Sequence, residues 1–128
     1  MTVLLALFLL VHGGVHIGYV CSRSWPFEAA DPWLVTGLGA SAGATQTTGT
    51  ILALVAFFAF LFAAGSTVGL LPRRAWRWLV GAGAIASALM LVGFATPWTL
   101  PGLAVDGGLL WAVFPQGWSL ASLRRRTA

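Results

Sequence analysis

Lysine is absent from these 128 residues, the acids number three and charged side chains of every kind make up only 8% of the chain. A soluble domain carries about 25% charged residues to cover its surface. This composition cannot wet one, which argues against a soluble enzyme, a disordered tail or a nucleic-acid binder despite a formal net charge of +4. A single cysteine, Cys21, excludes an internal disulfide. It leaves either pairing with another chain or an inert buried thiol. Also missing are a phosphate-binding glycine loop, a nucleophile elbow, a Cys-x-x-Cys pair and a zinc-protease motif. The sequence therefore leans away from an enzyme and asks for no cofactor.

What is present is oil-like: 59% of residues are hydrophobic, with 16 Gly and 7 Trp. Four apolar stretches stand out, at about Thr2–Val20, Thr47–Leu71, Ala75–Ala95 and Leu100–Ser119. Each approaches the ~30 Å of hydrocarbon that a helix crosses at 1.5 Å per residue. Peptide groups in hydrocarbon must be satisfied within their own segment, so spans of this length are expected to be helices. The first stretch has no Arg or Lys before it and no small-x-small site after it, so it reads as a retained span, not a cleaved signal. The expected fold is all-α: one transmembrane domain, a four-helix bundle in a bacterial inner membrane.

Arg73, Arg74 and Arg77 lie between spans two and three, and Arg124, Arg125 and Arg126 close the sequence. The positive-inside rule makes both clusters cytoplasmic and places both termini inside. Trp76, Trp78 and Trp118 then mark the inner interface, and Trp25, Trp33 and Trp98 the outer one. The outer loop, residues 21–46, is long for a connection. Asp31 and Pro32 read as the cap and first residue of a short interfacial helix, stopped by Gly37 or Gly39. The small-residue run from Gly39 to Gly49 reads as a flexible return.

Ionisable groups inside a membrane are costly and mark function by default. Three qualify: His12, His16 and Asp106. Counted from the span ends, His16 lies roughly 7–8 Å below the outer boundary, His12 roughly 13–14 Å and Asp106 roughly 9 Å. Asp106 is thus expected level with His16. His12, His16 and Tyr19 share one helix stripe, and Gly14 and Gly18 the opposite face, open to close helix approach. Gly65 and Gly69 repeat that packing pattern in span two, and Ala104 and Gly108 in span four.

Three readings of the His pair stay open. The imidazoles could bond Asp106, a backbone carbonyl or Ser87 and tie helices together. They could form half of a metal site completed by Asp106, Glu28 or Cys21. Or Asp106 could act on His16 in a proton relay or polar-ligand pocket. Asp106 could alternatively cap a later helix start at Gly107, and Pro115 should kink span four or end it early.

The run Leu10-Val11-His12-Gly13 near the end of a first span, followed by three short spans, resembles the DoxX-like small bacterial four-helix membrane proteins. Arg74 through Met90 is similar to their third helix. The chain departs by lacking their opening arginine and the lysine after the His-Gly pair, while His16 and the Trp-rich loop are not part of their pattern. The resemblance carries over only His12 and Gly13, and implies a link to membrane redox reactions with quinone or thiol partners. The chain also resembles actinobacterial-type four-span proteins rich in Ala, Gly and Arg.

The function expected is a non-enzymatic membrane protein that binds a small apolar ligand or lipid, or serves as an accessory subunit. Its outer-leaflet pocket would be lined by His12, His16, Tyr19 and Asp106 and closed by Trp25, Phe27 and Trp33. The alternatives are a redox component with a His-based metal or quinone site, and a subunit of a small-solute transporter. Four spans leave room for two gates only in a dimer. The bilayer is the expected partner, with a homodimer or larger membrane complex possible and no nucleic acid.

Overall fold

The computed structural model describes residues 2–21, 37–95 and 99–121. Among them the chain is all-α: α1 (Thr2–Cys21), α2 (Ala42–Val68), a 3-10 turn (Arg73–Ala75), α3 (Trp76–Gly93) and α4 (Leu100–Val113), with no strand. Gly43–Val68 and Arg73–Gly93, 26 and 21 residues, are long and apolar enough to cross a membrane; Thr2–Gly18 and Leu100–Val113 are shorter apolar helices.

The helix ends follow from local chemistry. Ser41 caps α2, its hydroxyl accepting from the Ala44 amide at 3.3 Å, so the helix starts at Ala42 and claims much of the expected flexible return. At the other end Gly69 turns left-handed (φ 92°), a conformation that glycine adopts without strain. The Leu70 amide then donates to Gly65 O at 2.9 Å and the Gly69 amide to Ser66 O at 3.3 Å, a Schellman ending that satisfies the last carbonyls. Pro101 occupies the first turn of α4, where its missing N–H costs nothing. Pro115 ends that helix at Val113, short of the expected Ser119. Beyond it the Gln116 amide bonds Trp111 O and the Trp118 amide bonds Ala112 O.

Consecutive helices run antiparallel. Gly13 of α1 meets Phe60 of α2, Gly83 of α3 meets the same Phe60, and Gly81 and Gly102 meet Phe114 and Leu91 across α3 and α4. Phe60 is the pivot. A β carbon added at Gly83 would lie 3.2 Å from three ring atoms of Phe60, and one at Gly13 would lie 2.8 Å from the Phe60 Cβ. The ring is fully enclosed, lying on the backbone at Gly83 of α3 while the His12 ring of α1 meets it edge-on.

The expected packing glycines behave differently. An added Cβ at Gly14 or Gly108 would meet nothing within 4 Å, and at Gly65 only Leu70 and Leu71 of its own capping turn. Gly69 serves the helix end. The close approach in α1 falls on the neighbour, Gly13, because that residue faces α2. Trp76 is buried in the core with Leu9, Ala63 and Val80.

Small residues fill much of the interior beside a few large ones, Phe60, Leu9, Met90 and Trp76. Ala53, Ala56, Ala63, Ala84 and Ser87 are wholly buried, while Leu4, Val11, Ile51, Leu89, Leu100 and Trp111 are each more than half exposed. Small side chains let backbones approach, and large apolar ones face outward on every helix.

Gly13→Ala is expected to destabilise the fold by about 1–3 kcal/mol, since a Cβ there presses on the root of Phe60, which cannot swing away. Gly14→Ala is expected to be neutral or to gain up to about 1 kcal/mol of helix propensity. Thermal unfolding of the two variants side by side checks this; equal stabilities contradict the packing described.

Candidate functional site

One polar cluster joins α1, α3 and α4. Asp106 sits in the second turn of α4, wholly buried, and is no helix cap, since α4 already starts at Leu100. His12 Nε2 lies 2.8 Å from its Oδ1, and the Ser87 hydroxyl donates to its Oδ2 at 2.5 Å. With Asp106 as the carboxylate, the hydrogen of the first contact sits on Nε2 of His12. Each carboxylate oxygen therefore has a donor from a different helix. In a low-dielectric interior such bonds strengthen, and each becomes costly to leave unmade.

Aromatic rings hold His12 in place. Phe8, one turn earlier on α1, stacks parallel to the imidazole at 6.0 Å between centroids, and Phe60 meets it edge-on at 4.9 Å. The i, i+4 spacing of Phe8, His12 and His16 signals the first neighbour. Nothing in the sequence signals Phe60.

Asp106 was expected level with His16, and the structure corrects this by one helical turn. The carboxylate meets His12 because α1 continues about one turn past the level at which α4 begins, so distances counted from the two helix ends do not compare. His16 is left in a different state. It is buried, its ring edge-on to His12 at 5.7 Å, and neither of its ring nitrogens has a hydrogen-bond partner among the described residues.

The Ser66 hydroxyl and the Trp76 indole nitrogen are also buried without partners. A serine hydroxyl in a helix can rotate onto the carbonyl four residues back, as Thr67 does onto Ala63 at 2.8 Å. His16 has a rigid ring with a donor and an acceptor on opposite edges, so its deficit is double.

This geometry narrows the chemistry. Ser87 donates to the Asp106 carboxylate and to no imidazole, so the Ser-His contact of a hydrolase triad is not formed at this residue. Among the described residues no three His, Cys, Asp or Glu side chains are placed to hold a metal ion. His12, His16 and Asp106 thus do not converge as ligands, since the carboxylate is taken up by His12 and Ser87. The Tyr19 and Cys21 side chains, and Trp25, Phe27, Glu28 and Trp33 with the expected interfacial helix, lie outside the described residues. No family model matches the chain, nor does any curated protein or solved structure.

Asp106→Ala is expected to cost about 1–3 kcal/mol, because it strands two donors in the interior. His12→Ala combined with it should fall short of the sum of the single effects by about 0.5–3 kcal/mol, the range for directly bonded partners. Denaturation of the three variants measures that coupling; strict additivity breaks the pairing.

Proposed function

We propose that this chain is a multi-pass protein of a bacterial cytoplasmic membrane, both termini inside. In the outer half of the bilayer it binds a small apolar molecule carrying one hydrogen-bonding group, a carbonyl or a hydroxyl. His16 is the polar contact for that group. His12, clamped by Asp106, is a positioning residue that supports the His16 ring.

The observation that carries this reading is the enclosed imidazole of His16 with both nitrogens unpartnered. A buried polar group without a partner costs on the order of 1–3 kcal/mol. Retaining one beside a fully bonded triad favours a site completed by something outside the chain. The neighbouring His12 ring packs between Phe8 and Phe60, an apolar setting that suits a ligand that partitions into lipid. The membrane setting is supported by the two helices of spanning length and by the large apolar residues exposed on every helix, among them Leu4, Ile51, Leu89 and Leu100. Small residues at helix contacts and large apolar ones outside are how helices associate in lipid, where no hydrophobic force drives them together.

Two experiments test the two halves of this proposal. A fluorescent-protein fusion after Ala128 should glow and an alkaline phosphatase fusion there should be inactive, with the chain resisting alkaline extraction from membranes. An active phosphatase reverses the orientation, and a chain in the soluble fraction ends the membrane reading.

For the ligand, purified protein is extracted with organic solvent and the extract read by mass spectrometry beside that of His16→Leu. The wild type should yield a stoichiometric apolar compound with a carbonyl or hydroxyl, which the variant lacks. The ligand-free variant should match or exceed the ligand-free wild type in stability, because leucine leaves no unsatisfied nitrogen. Identical extracts overturn the site; a quinone as the extracted compound would select the redox version of it.

A further inference from the structure

The bundle carries a second feature, at its opposite end. A cavity of about 340 Å³ lies between α1 and α2, walled by Ala6, Leu10, Leu61, Phe62, Gly65 and Leu71. That volume is at the small end of ligand pockets, and no charged side chain lines it. It runs along α2 from Leu61 to Val68, two helical turns or roughly 10 Å, and ends at Leu70 and Leu71 in the capping turn.

A cation stands at that end. Arg73 Nη2 lies 3.9 Å from the Cβ position of Gly69, the residue between Val68 and Leu70 of the groove wall. Arg73 is exposed, as are Arg74 beside it and Arg77 one turn on. The guanidinium lies near the C-terminal end of α2, where carbonyl dipoles favour a positive charge. Arg77, by contrast, lies over the Phe114 ring at 5.3 Å, on the far side of α3.

The geometry points to a site for one anionic phospholipid, its acyl chain in the groove and its phosphate on Arg73. The inference rests on the membrane reading above. The groove alone would accept any acyl chain. The charge selects the headgroup, because a guanidinium fork matches phosphate oxygens bidentately and basic residues at a cytoplasmic surface attract anionic lipid. A second copy of the chain fits less well. Two copies side by side in one bilayer bring their arginine-bearing ends level, and like charges would meet.

Native mass spectrometry of the full chain in detergent tests this, with phosphatidylglycerol and phosphatidylcholine of identical acyl chains as probes. The wild type should retain one phosphatidylglycerol about fivefold more than phosphatidylcholine, the factor that one arginine near a charged surface supplies. Arg73→Gln should retain both lipids equally. Gly65→Leu should lose both, since a Cβ at Gly65 meets only ordinary contacts at 3.5 Å and the rest of the side chain fills the groove.

No headgroup preference in the wild type, a preference that survives Arg73→Gln, or lipid retained by a folded Gly65→Leu each overturns the inference. So does a dimer that Gly65→Leu abolishes, which would make the occupant a second copy. Arg73 is exposed, so Arg73→Gln decides the headgroup even if Gly65→Leu does not fold. A chain found in the membrane fraction without lipid preference defeats this inference alone; a chain in the soluble fraction defeats the reading beneath it.

Discussion

A carboxylate with no contact to solvent organises this bundle. Asp106 accepts one hydrogen bond from α1 and one from α3 while itself belonging to α4, so three helices are registered at a single point. Apolar packing is tolerant of small slides, since one methyl can replace another. A pair of charge-assisted bonds is not, because a shift of one turn leaves a buried donor and two carboxylate oxygens unmet. Much of the remaining interior is alanine, leucine, valine and glycine, which could pack in several registers. The polar cluster selects one.

Around that point the interior is built from what is missing. Glycines at 13, 81, 83 and 102 bring the helices close enough for Phe60, Phe114 and Leu91 to lie directly on backbone. Close approach is also what lets short polar side chains reach across. Ser87 has a two-atom reach and touches Asp106 only because α3 and α4 nearly abut. Packing and polar bonding are therefore one arrangement, and His16, one turn along, shares its burial without sharing its partners.

Much of this is legible in the residues, and the failures share a cause. The start of α1 and the start of α4 follow from the apolar runs, and Pro115 announces the end of α4. The start of α2 was hidden because Ala42 to Thr50 looks like a loop by composition, while the Ser41 cap makes it a helix. Asp106, His12, His16 and Ser87 could be singled out as polar groups in an apolar setting. Their pairing could not, because it depends on how far one helix is displaced along another, and no single-helix periodicity records that. The same gap explains why Gly13 and not Gly14 makes the close contact: the two lie about 100° apart around the helix, and which one faces α2 is settled only by the neighbour. Phe60 carries no mark in the sequence at all, being one of eight phenylalanines.

The seat of Phe60 has an evolutionary consequence. Its ring occupies room that two other helices vacate by having no β carbon at Gly13 and Gly83. A β carbon at Gly83 crowds the ring and one at Gly13 crowds the root of residue 60, while a smaller residue at 60 leaves a void beside Gly83. A change at any one of the three carries a packing cost. Descendants of this chain should change them in concert or not at all, an epistatic triplet drawn from segments some fifty and twenty residues apart.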